Sequence, residues 1–181
     1  PTNPGSSFAL ASLARSRARF ARAPRYTIIK LKVLEFTGAL APLADRAGKV
    51  FLAPATLRPE TMYGQTNCFA LPEGEYGAYE MNTGDVFIIS ERSAKGFACQ
   101  GYTDDFGVTK CLLKLTGMDL MGLPLSAPHA KYERVYTLPL LTISMGKGTG
   151  IVTSVPSDAP DDHVSLQMLK DKPDFAAKYV L

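Results

Sequence analysis

Proline governs what this chain can become. The 181-residue sequence holds thirteen prolines, and Pro54, Pro59, Pro72, Pro124, Pro128, Pro139, Pro156 and Pro160 fall at almost every connection between apolar segments. Each fixes its own φ, lacks a backbone donor and pushes the preceding residue out of the helical region. Long helices are therefore not expected. What lies between the prolines reads as many short strands and a few short helices, without the regular strand–helix alternation of a doubly wound sheet. The pattern predicts a compact mixed α/β barrel.

The local patterns fill in this outline. Residues 26–36 (YTIIKLKVLEF) alternate, with Lys30 and Lys32 on one side and Leu31 and Val33 on the other, which predicts a strand with one wet face. Residues 49–53, 85–90, 123–125, 135–138 and 151–155 also read as strands. Residues 64–70 fit a strand or the start of a helix equally well. Residues 91–97 read as a short helix. So do residues 109–116 (TKCLLKLT), whose apolar residues come in one burst before Gly117. Residues 161–170 predict a helix with acids at its start and a lysine at its end, matching the helix dipole.

Charge is unevenly spread. The net +3 hides a first stretch, residues 1–34, with Arg15, Arg17, Arg19, Arg22, Arg25, Lys30 and Lys32 and no acid, so the remainder is mildly acidic. A globally basic nucleic-acid surface is not supported. Residues 1–24 are rich in Ser, Ala and Arg, the composition of an organellar transit peptide. A cloning-derived or disordered tail, or a helix packed on a neighbouring surface, is the favoured reading, and the domain is set at 25–181. No apolar run reaches the about 20 residues of a membrane span. Three widely spaced cysteines, Cys68, Cys99 and Cys111, argue against a disulfide framework and for a reducing compartment. Two histidines and no C-x-x-C or H-x-x-x-H pair leave no metal site expected.

Two segments carry the polar groups that chemistry needs. The first is ATLRPETMYGQTN, residues 55–67, with Thr56, Arg58, Thr61 and Thr66 around a turn set by Pro59. An ordinary strand and turn with capping hydroxyls would use the same residues. The second is KGTGIVTSVPSDAPDDH, residues 147–163, which lacks the register of a P-loop. Asp158, Asp161 and Asp162 gather at the start of the last helix. Capping accounts for one of them, and unpaired acid there attracts a cation such as an ammonium group. A Ser-His-Asp triad is not supported, because no G-x-S-x-G elbow is present.

Together the two segments resemble the editing domain of leucyl-tRNA synthetases, in the eukaryotic cytosolic and archaeal-like form. GDVFIIS, GYTDDFGV and GLPLSAPHAKYERVYTLPLLTI, between them, resemble it too. The resemblance runs from about Tyr26 to Asp162 and weakly to the end. Nothing like the HIGH and KMSKS signatures of the synthetic core is present, so the chain is not expected to activate amino acids. It reads as the editing insertion of a larger enzyme, and the resemblance implies that insertion's fold, a small β-barrel flanked by short helices.

The resemblance implies hydrolysis of the ester between a noncognate amino acid, such as norvaline or isoleucine, and the terminal adenosine of tRNA(Leu). It implies no cofactor for editing, ATP serving only the synthetic core. The implied partners are tRNA(Leu) and the rest of the synthetase in cis, in the cytoplasm, with the isolated domain a monomer. Asp162 is implied to hold the α-ammonium. Thr61 is implied to block the leucine side chain. Thr56 is implied to position water and substrate, supported by Arg58. Thr153 and Val155 are implied to line the amino-acid and adenosine pockets, with Leu57 and Lys147 also on the substrate side. Leu57 replaces the second threonine of bacterial relatives. Backbone groups of residues 56–58 are candidates for an oxyanion site. Two alternatives stand: an isoleucyl- or valyl-type editing domain, or a module that binds adenosine or a tRNA end without chemistry in isolation.

Overall fold

Two short runs, NCFA and VFII, are buried at every position and sit deep in the molecule as strands covered on both faces. The computed structural model describes residues 25–171 and residue 174; the stretch 1–24, with its reading as a tail, lies outside them. In chain order the strands are β1 (Thr27–Ile28), β2 (Leu31–Val33), β3 (Val50–Leu52), β4 (Ala55–Thr56), β5 (Asn67–Ala70), β6 (Glu75–Glu80), β7 (Val86–Ile89), β8 (Lys110–Thr116), β9 (Pro124–Ser126), β10 (Val135–Pro139) and β11 (Ile151–Ser154). Helix α1 (Glu91–Ala98) follows β7, and α2 (Pro160–Asp171) follows β11. Gly38–Arg46, Pro59–Gly64 and Gly117–Leu120 form 3-10 helices.

The fold is mixed α/β, as the proline spacing requires. Nine strands form one sheet in the order β11-β5-β10-β9-β2-β3-β7-β6-β8, and β1 pairs with β4 in a separate ribbon. The sheet does not close, so "barrel" describes it only loosely. The pairs β5–β10 and β3–β7 are parallel, and the other neighbours are antiparallel. The strand expected over residues 26–36 divides: β1 turns to β4, while β2 enters the sheet between β3 and β9.

Residues 109–116 correct the sequence reading. They form β8, not a helix. Cys111 faces Tyr79 and Leu113 faces Ala78, which leaves Leu112 as the extra residue of a bulge. The bulge breaks the period of two, so the strand looks like an apolar burst in sequence. As an edge strand it also carries Lys110 and Lys114, which discourage pairing with another chain. The undecided residues 64–70 resolve into the end of a 3-10 helix and β5.

The main core joins Leu31, Val50, Leu52, Ile88, Leu125 and Val135 with Leu40 and Leu43 from the first 3-10 helix. Met62 and Val155, one from each chemistry-bearing segment, belong to this same core. A second cluster lies under α1, where Phe97 and Ala94 meet Phe87, Ile89 and Tyr79. Ser90 caps α1, its Oγ accepting the Ser93 amide hydrogen.

Two glycines test this packing. A Cβ on Gly117 would lie 1.8 Å from the Leu71 carbonyl oxygen, whereas one on Gly96 in α1 meets nothing closer than Gln100 Nε2 at 4.0 Å. In urea unfolding, Gly117→Ala is expected to lose about 1–3 kcal/mol by forcing backbone apart. Gly96→Ala is expected to gain up to about 1 kcal/mol from helix propensity.

Candidate functional site

The first segment folds back on itself. Leaving β4, the Thr56 Oγ1 accepts the Arg58 amide hydrogen at 3.1 Å. The Arg58 carbonyl then accepts from both the amide and the hydroxyl of Thr61, at 3.1 and 2.8 Å. Pro59 starts the 3-10 helix at the position where its missing donor costs nothing. Thr61 is buried at 8% exposure, and its hydroxyl bond holds its rotamer. Leu57 and Arg58 are exposed on the outside of this turn. The Arg58 amide is occupied by Thr56, so it is not a free donor for an oxyanion, which narrows the backbone donors expected over 56–58.

The second segment is tied to the first through the sheet. β11 pairs antiparallel with β5, placing Thr153 opposite Cys68 and Ser154 opposite Asn67. The Thr66 amide donates to the Ser154 carbonyl at 3.1 Å, and the two hydroxyls lie 3.4 Å apart. On its other side β11 lies against β4. Beyond the strand, a Cβ on Gly64 would fall 2.2 Å from Ser157 Oγ, so the first segment's 3-10 helix seats directly on the turn after β11. The structure thus brings the 55–67 and 151–162 segments together. Lys147 lines a cleft that Ala55, at the start of the first segment, also borders.

Asp162 closes the turn between β11 and α2. Its Oδ2 accepts the Val155 amide hydrogen at 2.9 Å. The Val155 carbonyl accepts the amides of Asp158 and Ala159 at 2.9 and 3.0 Å. Of the three clustered acids, Asp158 accepts from the Ser157 hydroxyl at 2.7 Å and Asp161 faces solvent. Asp162 alone is half-buried. Burial pushes its carboxyl above the usual aspartate range, the Asp161 charge adds to this, and the Val155 amide opposes it. No side-chain cation pairs with Asp162 among the described residues. A half-desolvated carboxylate without a counter-charge is suited to a ligand cation.

Buried polar groups gather on the two joined segments. Thr61, Gln65, Asn67, Thr153 and Ser154 are all below 9% exposure. Gln65 Nε2 donates to the Asn67 carbonyl, while Gln65 Oε1 lacks a hydrogen-bond partner. Gln65 and Ser154 were not singled out from sequence. The available signal was the run GQTN, a polar stretch without charge entering an apolar strand.

No family model matches the chain. Among curated proteins it is 54% identical over 155 residues to the cytoplasmic leucine–tRNA ligase of Arabidopsis thaliana and 53% identical over 155 residues to that of Dictyostelium discoideum. Each alignment covers 85% of this chain but only 14% and 15% of the relative, so the chain spans about a seventh of their length. Among solved structures it resembles one described as GlLeuRS-CP1, with 40% identity and a TM-score of 0.74 over 86% of this chain and 64% of that one. The editing domain of the Plasmodium knowlesi cytosolic leucyl-tRNA synthetase follows at 26% identity and a TM-score of 0.71, over 85% and 64%.

The Asp162–Val155 bond has a measurable signature. A raised carboxyl pKa favours the folded state below the ordinary aspartate range, and this advantage is lost as pH rises through the native value. Asp162→Asn keeps an acceptor for the Val155 amide without the charge. Its thermal midpoint is expected to equal the parent's at low pH and to match or exceed it at pH 7. Asp162→Ala leaves that amide unpaired and is expected to cost about 1–3 kcal/mol at every pH. Thermal scans from pH 3 to 8 measure both.

Proposed function

From its homology to the CP1 editing domain of cytoplasmic leucyl-tRNA synthetases, we propose that this chain hydrolyses the ester of noncognate aminoacyl-tRNA(Leu). The observation that carries the proposal is the joining of two distant segments through the β5–β11 ladder, with Asp162, a half-buried carboxylate without a cation partner among the described residues, in the turn that follows the ladder. The wider enzyme activity, with tRNA(Leu) and the remaining synthetase as partners in the cytoplasm, belongs to the same proposal.

The need for such a site follows from pocket energetics. A hydrophobic pocket separates side chains differing by one methylene by only about 1–3 kcal/mol, so a second pocket of different shape must remove what the first admits. In this reading Asp162 pairs with the α-ammonium, a charge that every aminoacyl ester carries. It anchors the substrate without choosing the side chain. Selection falls to Thr61, whose fixed rotamer gives a hard wall that rejects leucine. Thr153 and Val155 on and after β11 line the amino-acid and adenosine pockets, and Leu57 offers an exposed apolar surface at the rim.

Catalysis then rests on position. Thr56 Oγ1 accepts from the Arg58 amide and keeps its own proton free to donate, so it orients the attacking water or the ester. Arg58 holds the turn through its backbone, donating to Thr56 and accepting from Thr61. The water oxygen bonds to the ester carbonyl carbon, the bond from that carbon to the ribose oxygen breaks, and the proton the water loses ends, through solvent or a neighbouring hydroxyl, on the leaving ribose oxygen, giving the free amino acid and a terminal ribose hydroxyl.

Two substitutions test this in the full-length synthetase. Thr61→Ala is expected to raise hydrolysis of leucyl-tRNA(Leu) about tenfold or more by opening the wall; continued sparing of that ester removes the gate role. Asp162→Asn is expected to slow deacylation of norvalyl-tRNA(Leu) by about 10- to 100-fold with the fold intact. An unchanged rate, or deacylation confined to mischarged tRNA(Ile) or tRNA(Val), overturns the proposal.

A further inference from the structure

The loop that joins α1 to β8, residues 99–109, carries an open apolar patch. Phe106 is 77% exposed, the most open large apolar side chain among the described residues, and Val108 and Tyr102 follow at 57% and 51%. Asp104 and Asp105 stand exposed between them, and neither is in an ion pair among the described residues. No lysine or arginine lies between Gly96 and Thr109. A single exposed apolar side chain is ordinary; three on one short loop, beside two unpaired acids, form a surface for a partner.

The patch is held in place. The Asn82 amide and the Asn82 Nδ2 donate to the Tyr102 and Gly101 carbonyls at 3.0 and 2.9 Å. The Tyr102 and Gly107 amides donate to the Phe97 and Ala98 carbonyls at the end of α1, both at 3.1 Å. The buried Thr103 donates its hydroxyl to the Asp105 carbonyl at 2.9 Å. Gly107, with φ of +76°, turns the chain directly after Phe106. Because the loop is already ordered, a partner that covers Phe106 loses little by fixing it.

The chain holds a segment of matching chemistry. Residues 1–24, which lie outside the described residues, carry Arg15, Arg17, Arg19 and Arg22, no acid, and Phe20 among those arginines. The place where they join the fold is known. Arg25, the first described residue, lines the same cleft as Tyr102. That cleft also holds Arg92 and Lys147 and no acid, so like charge turns an arginine-rich segment away from it and toward Asp104 and Asp105. The reach suffices: five residues separate Phe20 from Arg25 and span up to about 17 Å, while Phe106 lies four residues past Tyr102, at most about 14 Å away. We propose that residues 15–22 dock on the 102–108 loop, with Phe20 against Phe106 and Val108 and the flanking arginines on Asp104 and Asp105. This goes beyond the hydrolytic reading and does not depend on it.

The chain contains no tryptophan, so Phe20→Trp in the 181-residue protein supplies a single reporter. Its emission is expected to be blue-shifted relative to a peptide of residues 1–24 with the same substitution. Adding Phe106→Ser, or separately Asp104→Lys/Asp105→Lys, is expected to return the emission to that of the peptide, with thermal midpoints verifying folding. Trypsin gives an independent reading in the chain without the reporter. Cleavage after Arg15, Arg17, Arg19 and Arg22 is expected to be at least about tenfold slower in the parent than in Phe106→Ser, because the protease cuts the undocked population. Salt at about 1 M is expected to bring the parent's cleavage toward that of the charge-reversed variant. Parent emission equal to the peptide's, or cleavage rates within twofold across parent and variants, overturns the inference. A blue shift that fades on dilution also overturns it and assigns the patch to a second copy of the chain.

Discussion

The peptide of Val155 holds the site together. Its amide is taken by the Asp162 carboxylate and its carbonyl by the amides of Asp158 and Ala159. One residue thereby terminates β11, starts the turn and places the first turn of α2. The arrangement has a cost. A carboxylate is kept half out of water, with a second acid as its neighbour and one backbone amide for compensation. A purely structural cap would be served as well by an uncharged acceptor. The retained charge is what a ligand ammonium group would need, and this links the fold to the proposed chemistry.

The two joined segments carry hydroxyls and amides in place of further buried charge. Thr61, Gln65, Asn67, Thr153 and Ser154 sit buried where β5, β11 and the 3-10 helix Pro59–Gly64 meet. Neutral polar groups can be buried if they are hydrogen-bonded, and most of these are bonded locally. Such a wall is rigid and partly polar. It suits an ester, which needs its attacking water oriented and its side chain measured.

Much of the fold was legible. The strands over β3, β7, β9, β10 and β11 and both helices follow from apolar runs, turn residues and the proline spacing. The failures have local causes. β8 looked helical because the bulge at Leu112 breaks its alternation. β4 and the 3-10 helices Pro59–Gly64 and Gly117–Leu120 are too short to leave a period. The open edge between β11 and β8 could not be told from a closed barrel, since closure depends on how two strands far apart in sequence meet. For the site, the segments around Thr56, Thr61, Thr153 and Asp162 were found by motif. The occupied Arg58 amide and the burial of Gln65 were not.

The sequence by itself determined which side chains exist to do chemistry, because the two signature segments carry the hydroxyls and the acid in their own order. It also determined that long helices were excluded, since proline acts on its own backbone. Only the tertiary structure decided that the segments meet. Thr56 and Thr153 are brought near each other by the β5–β11 ladder and the β4 strand beside it, and the Asp162 environment is made by burial against Val155. Proximity and desolvation arise from residues distant in the chain, and no local pattern encodes them.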